Sequence, residues 1–432
     1  MSSDHPPTSQ SHIHIHILGL GSIGCFVAHA LRSLPSPPRV TLLLHREGLH
    51  QDLAARDGKL SLQIREDGPV HETSGYDWEL LPQQQQQQQQ KSLTTDPPIH
   101  CLIVTVKASA MIAALHPIKH RLGKASTICL FQNGMGQIEA LDEEIFPDPA
   151  TRPAYMFGIV RHGVYLAAPF HGILAGLDGT ITIGEVERSL PTNPNPNPNP
   201  NPAAPSTTPS PSTTHLSTTL LTASLLNGTL LPWSALLPIQ LHKLAANCVL
   251  NPLTALLDVR NGAILQNPSV WPLQRQLVEE ISAVFLRLPE LAHLGAEART
   301  ELFSVRAIED AVRGTVEKTA ANSSSMREDV RRGRETEIRF INGLLFSLAL
   351  TGLGLADKTC TPSFDYCSDQ LLNSKGFTTS DLNTALQGTG YENEDLKNIL
   401  FHCTNPGAVG HAKLCANGCK DSAQEGSHGC DG

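Results

Sequence analysis

The sequence predicts an α/β N-terminal domain built on a doubly wound parallel sheet, followed by an all-α domain and a cysteine-rich tail. Three observations carry this. Apolar strands alternate with helical segments over the first part of the chain. Glycines 19, 21 and 24 sit where the first strand hands over to the first helix. From about Leu216 the pattern becomes helical. Strands separated by helices are the mark of a parallel sheet covered on both faces.

The elements follow in order. Ile13–Leu18 reads as a strand and Ile23–Leu34 as a helix; Arg39–Leu44 and Ile99–Val106 are further strands, as is Ser126–Phe131. His12, His14 and His16 alternate on one face of the first strand. With no Cys, Asp or Glu partner evident, this reads as a half-exposed strand face rather than a metal site. Helical segments are expected at Thr218–Leu226, Pro238–Val249, Val270–Leu286, Ala298–Thr319 and Ser325–Leu350. A glutamine run fills 83–90, and an Asn-Pro repeat at 193–202 continues in Pro, Ser and Thr to about Thr214. Neither can bury enough apolar surface to offset its ordering entropy, so both are expected to be disordered. The expected domains are 12–188 (with an insertion near 83–98), a linker at 189–215, a helical domain at 216–356 and the tail at 357–432.

Composition excludes several classes. The chain has 432 residues and a formal net charge of −9, which gives no basic field for nucleic acid or anionic membrane. No apolar run reaches the ~18 residues of a membrane span. The N-terminal MSSDHPPTSQ lacks the basic and apolar regions of a secretory signal. A cytoplasmic location is expected, with a mitochondrial one left open. Cys25, Cys101, Cys129 and Cys248 are scattered without paired spacing, which suits a reducing compartment.

Gly19-Leu20-Gly21-Ser22-Ile23-Gly24 matches G-x-G-x-x-G between a predicted strand and a predicted helix. The first glycine permits a tight turn, the second lets a pyrophosphate approach, and the third lets helix pack on strand. The helix N-terminus adds free N–H groups and a positive dipole end. A dinucleotide is therefore expected here. The second strand ends in Leu44-His45-Arg46 where an NAD site would place a carboxylate. Arg46 can bond a 2′-phosphate, so NADPH/NADP is favoured over NADH, although Glu47 adjoins it.

Two helical segments carry unusual polar groups. Lys243, Asn247 and Asn251 fall within roughly 80° of one another on a helical wheel, with Leu241, Ala245, Cys248 and Val249 opposite. One ammonium flanked by two amides suits a polar, anionic small molecule; a solvated face is the plainer alternative. In the segment from Ser325, S-x-x-E with Glu328 reads as a capping box. Glu337 then falls amid Val330, Gly333, Ile341, Leu344 and Leu348 on one face. An unpaired buried carboxylate is costly, so it either pairs with Arg334 or lines a cleft opposite Lys243.

These motifs together resemble the ketopantoate reductase (2-dehydropantoate 2-reductase) family. GLGSIG at 19–24, VTVKAS at 104–109, QNGMG at 132–136, KLAANCVLNPLTAL at 243–256, NG at 261–262 and the cluster from Ser324 to Gly343 match in order, over about residues 12–356. The resemblance implies a Rossmann-type α/β domain plus an all-α, 6-phosphogluconate dehydrogenase C-terminal-like domain, with the active site in the cleft between them. It implies reduction of ketopantoate by NADPH to pantoate, for pantothenate and coenzyme A synthesis. A relative acting on another 2-keto acid and a non-catalytic NADP(H)-binding sensor are the alternatives. By resemblance, Gly19 to Gly24 hold the pyrophosphate, Arg46 the 2′-phosphate, and Lys107 and Asn133 line the cofactor site. Lys243 is the catalytic lysine; Asn133, Asn247, Asn251, Asn261 and Ser325 hold the substrate; and Glu337 sits at the cofactor–substrate junction. The expected partner is this small molecule, with no nucleic acid, membrane or metal; a homodimer is left open.

The family pattern stops after Ala356, where a Pro-containing segment and one more helix normally follow. Six cysteines crowd the tail instead, at 360, 367, 403, 415, 419 and 430. A fused module without catalytic role is favoured. The even count is also compatible with disulfides, and the irregular spacing argues against zinc.

Overall fold

The computed structural model describes residues 14–82, 96–187 and 209–352, and in the tail 360–361, 363–375, 377, 379–405, 408–420 and 429–430. His12, the glutamine run and the Asn-Pro repeat lie outside the described residues. The chain forms two compact units. The first comprises residues up to 274 with 308–341; the second comprises 275–307 with 342 onward.

The first unit is organised by an eight-stranded sheet. Its strands are β1 (Ile15–Leu18), β2 (Val40–Leu44), β3 (Asp77–Leu80), β4 (Cys101–Val104), β5 (Thr127–Leu130), β6 (Ala154–Val160), β7 (Ile181–Glu185) and β8 (Gly228–Leu230). They run in the order β8-β7-β6-β5-β4-β1-β2-β3. All neighbours are parallel except β6 and β7. The six strands β1–β6 thus have the 3-2-1-4-5-6 order of a dinucleotide-binding sheet, which reverses between β1 and β4. Apolar runs such as Cys101–Val104 are fully buried because both sheet faces are covered, and β1 is buried throughout, His16 included, so the half-exposed face expected there does not occur. Ile15 and Ile17 face one core with Phe26 and Leu31 of α1 (Ser22–Arg32). Leu18 faces the other, with Leu102, Met111 and Leu236. The helix α2 (Glu47–Ala54) follows β2.

The sheet runs past the expected boundary at residue 188. Helix α3 (Pro211–Thr222) follows the low-complexity tract, and its Leu216 and Leu220 are fully buried in the same core as Ile15. The hydroxyl of Thr127 on β5 meets those of Ser212 at 2.8 Å and Thr213 at 2.9 Å. β8 then pairs with β7. Residues 211–230 therefore complete the α/β sheet instead of opening a helical domain. The linker composition hid this because α3 begins in Pro, Ser and Thr: Ser210 is its N-cap and Pro211 its first residue, both favoured there.

The 25-residue helix α4 (Trp233–Leu257) follows, longer than the expected Pro238–Val249. Its C-terminal Asp258 accepts from Arg327 at 2.9 Å and Arg331 at 2.7 Å. Both arginines lie on α5 (Ser325–Arg331). The expected single helix Ser325–Leu350 does not form. Gly333 adopts a left-handed φ of 60°, and the N–H of Arg334 turns back to the Asp329 carbonyl at 2.8 Å. That is a glycine-based helix stop. Ala298–Thr319 likewise divides into Ala296–Phe303 and Val305–Lys318.

In the second unit, Phe285 and Phe303 pack edge to face at 5.6 Å. The tail folds as a three-stranded antiparallel sheet, Asp365–Cys367, Ile399–Asn405 and Ala408–Leu414, around Tyr366, Leu371, Leu382 and Phe401. Its six cysteines form three disulfides, 360–403, 367–419 and 415–430. The four cysteines of the first unit are buried and form no disulfide. Among the described residues, no helix is long and apolar enough to cross a membrane.

Leu220→Ala should lower unfolding free energy by about 2–5 kcal/mol, because it empties a filled core site. Urea unfolding monitored by circular dichroism measures it. A loss below about 0.5 kcal/mol, the range of surface substitutions, would show that α3 is not part of the sheet's core.

Candidate active site

The glycine turn stands at the carboxyl end of β1, beside the strand-order reversal. Gly19 has a left-handed φ of 101°, and a Cβ there would press on the backbone of Val106. A Cβ at Gly24 would run into the carbonyl oxygen of Gly19. Gly21 differs, since nothing lies within 4 Å of where its Cβ would be. Gly21 is also the N-cap of α1, and no side chain caps that end. Two crowded glycines thus close the turn, and the third opens a cradle with free N–H groups where a pyrophosphate fits. Leu20 is buried, while Ser22 and Ile23 are partly exposed on the first turn of α1. Arg46 is exposed just past β2, as the N-cap of α2. Its neighbour Glu47 is paired with His50 at 3.0 Å, so that carboxylate is engaged locally.

Lys243 projects from α4 toward the ends of β5 and β6. Its ammonium donates to Asn133 Oδ1 and to the Val160 carbonyl, both at 2.9 Å. An ammonium carries three N–H donors. The third has no acceptor among the described residues, which leaves it for a ligand. Burial, then the positive charge of Arg161, push the Lys243 pKa down to about 8, while Glu337 pulls the other way. The recess around this ammonium is lined by Asn133, Gly134, Phe157, Ile159, Gln240 and Asn247, among others.

Glu337 reaches the same region by a route the helical wheel does not describe. It lies beyond the Gly333 stop, just before a short 3-10 turn at Ile338–Phe340. Its Oε1 accepts from the Ala108 N–H at 3.0 Å, not from Arg334. Burial raises its pKa, opposed by the Ala108 N–H, Lys107 and the Asn133 amide. Lys107 holds this segment down: it pairs with Asp329 at 2.6 Å and donates to the Glu335 carbonyl at 2.8 Å. The Met135 N–H donates to the Phe340 carbonyl at 3.0 Å. A side chain at Gly134, whose φ is +83°, would strike that carbonyl.

The structure therefore gathers Asn133, Lys243 and Asn247 around one recess, with Glu337 bonded to Asn133 beside it. Asn251 is buried on the same helix, about 12 Å further along its axis from Lys243. Asn261 donates to the Thr319 hydroxyl at 2.9 Å and precedes another short helix without capping it through its side chain. Ser325 is exposed as the first residue of α5. The N-cap is Ser324, whose hydroxyl accepts from the Arg327 N–H at 3.1 Å and meets Thr254 at 2.7 Å. Glu328 bonds Ser323 at 2.6 Å, so the capping box read at Ser325 does not form. Gln240 and Arg161 are additions that sequence inspection missed. Gln240 stands one turn before Lys243, on the face already marked as polar.

His14 and His16 line a separate cavity of about 470 Å³. Arg39 pairs there with Asp77 at 2.6 Å and Arg121 with Glu79 at 2.5 Å. Burial pushes the His16 pKa down to about 4. No group of three or more metal-ligating side chains occurs among the described residues.

Comparison with known proteins gives consistent findings. A family model described as Ketopantoate reductase PanE/ApbA matches residues 15–188, and its C-terminal counterpart matches residues 235–351. A probable 2-dehydropantoate 2-reductase of Schizosaccharomyces pombe is 32% identical over 341 residues, covering 78% of this chain and 90% of that protein. A ketoisovalerate reductase of Gibberella fujikuroi is 26% identical over 383 residues, covering 81% of each. A solved D-mandelate dehydrogenase with NADH and anilino(oxo)acetate shares the fold at a TM-score of 0.57. It is 18% identical, with 78% of this chain and 92% of that one covered.

The three glycines separate cofactor binding from folding. Gly21→Ala should leave the melting temperature unchanged and raise the NADPH Kd about ten- to a hundredfold, by blocking charge-assisted bonds to phosphate. Gly24→Ala should lower the melting temperature itself. Fluorescence titration and thermal melts test both; unchanged NADPH affinity in Gly21→Ala would contradict the cradle.

Proposed function

This chain belongs to the ketopantoate reductase family and is an oxidoreductase; from that premise we propose that it reduces ketopantoate to pantoate with NADPH, for pantothenate and coenzyme A synthesis. The observation that supports the assignment most is the Lys243 ammonium, held by two acceptors with a third donor free. The turn Gly19–Gly24 would hold the pyrophosphate of a nicotinamide cofactor, which when bound would supply the hydride for C2 of the keto acid. As C2 becomes tetrahedral, negative charge gathers on its oxygen. Lys243 stabilises that charge and passes a proton to the oxygen, completing the hydroxyl. A pKa near 8 suits this work, because the group is largely charged at neutral pH yet releases its proton readily. Asn133 orients the ammonium, and Glu337 orients Asn133. Asn247 adds an uncharged hydrogen-bonding group to the same recess. Arg161 adds positive charge that favours a carboxylate-bearing substrate.

The preference for NADPH rests on Arg46, exposed at the end of β2 with the adjacent Glu47 paired to His50. A second reading, reduction of a 2-keto acid without ketopantoate's hydroxyl, is favoured by the Gibberella fujikuroi relative.

Ketopantoate should drive steady loss of NADPH absorbance. Lys243→Ala should slow turnover by about 10²–10⁴-fold while NADPH affinity stays intact. The wild-type kcat should be level at lower pH and fall above about 8, as the proton donor empties. Turnover in Lys243→Ala equal to wild type would remove the lysine from the mechanism. Arg46→Asp should weaken NADPH by about ten- to a hundredfold and leave NADH nearly unchanged. Equal loss for both cofactors would overturn the 2′-phosphate assignment.

A further inference from the structure

Gln240 is only 4% exposed, yet neither its Nε2 nor its Oε1 has a hydrogen-bond partner among the described residues. Leaving such an amide buried and unpaired is destabilising in the absence of a ligand. It precedes Lys243 by three positions, so the two side chains are neighbours on one face of α4. Both line the recess that holds Asn247, with Phe157 and Ile159 as apolar wall. A donor and an acceptor therefore wait beside the reacting ammonium, next to surface that suits methyl groups.

We infer that Gln240 is a specificity-determining residue that hydrogen-bonds the terminal hydroxyl of the substrate and so selects a hydroxylated, branched 2-keto acid. This rests on the reductase assignment above and decides between its two readings. Ketopantoate is 2-ketoisovalerate with a hydroxymethyl group added. A pocket lined only by apolar side chains separates such a pair weakly. A buried amide separates them strongly, because the acid lacking the hydroxyl leaves the amide unpaired.

The test measures kcat/KM for ketopantoate and for 2-ketoisovalerate at saturating NADPH, in wild type and in Gln240→Leu. Wild type should prefer ketopantoate. Gln240→Leu should cut that preference about ten- to a hundredfold, through loss on ketopantoate while 2-ketoisovalerate holds or rises. NADPH affinity and the fall in kcat above pH 8 should not move, and the melting temperature should stay equal or rise. Gln240→Met serves the same comparison should the leucine variant fold poorly. A preference in the folded variant equal to wild type overturns the inference and leaves the reductase assignment standing. A wild type that prefers 2-ketoisovalerate also overturns it. A wild type that oxidises NADPH with neither acid overturns the assignment itself.

Discussion

The Lys243 ammonium, bonded to Asn133 Oδ1 and the Val160 carbonyl at 2.9 Å each, is the interaction on which the rest depends. A charge taken this far from water must be paid for by oriented dipoles. Two come from the sheet: the loop after β5 and the last residue of β6. Their positions follow from strand order, since parallel strands all end on the same edge. The lysine comes from α4, whose first turns pack Leu236 into the sheet's own core. The same edge carries the glycine turn at the end of β1. The glycine turn and the Lys243 ammonium thus stand at one end of one sheet.

The surrounding charges tune this group more than they neutralise it. Desolvation and Arg161 lower the lysine pKa, and Glu337 raises it. Glu337 has its own pKa raised by burial, but Ala108, Lys107 and Asn133 all favour its charged form. Lys107 works as a strut between the loop after β4 and the segment carrying Glu337.

Local signals were legible in the sequence where they were self-contained. The glycine turn was, because strand, spacing and helix adjoin one another. The Lys243–Asn247 stripe was, because α4 is unbroken across it. Glu337 was singled out for the wrong reason: the wheel ran straight through Gly333, whose left-handed backbone ends α5. Of three consecutive serines the cap is Ser324, not Ser325, and its contact with Thr254, 70 positions away, is one that no local pattern contains. α3 and β8 were assigned to the wrong layer because the low-complexity tract looked like a boundary while the sheet continued beyond it. Gln240 was overlooked because a glutamine on a polar face is unremarkable until its burial is known. The cysteines divide as their spacing suggested. Burial raises the thiol pKa of all four in the first unit, and the tail closes three bridges.

Because everything turns on one desolvated ammonium, its titration is the most direct measurement. With ¹³Cε-labelled lysine, the resonance that disappears in Lys243→Ala should titrate near pH 8 in the wild-type protein. A midpoint at the ordinary lysine value would mean that the amine sits in water, and would contradict the account.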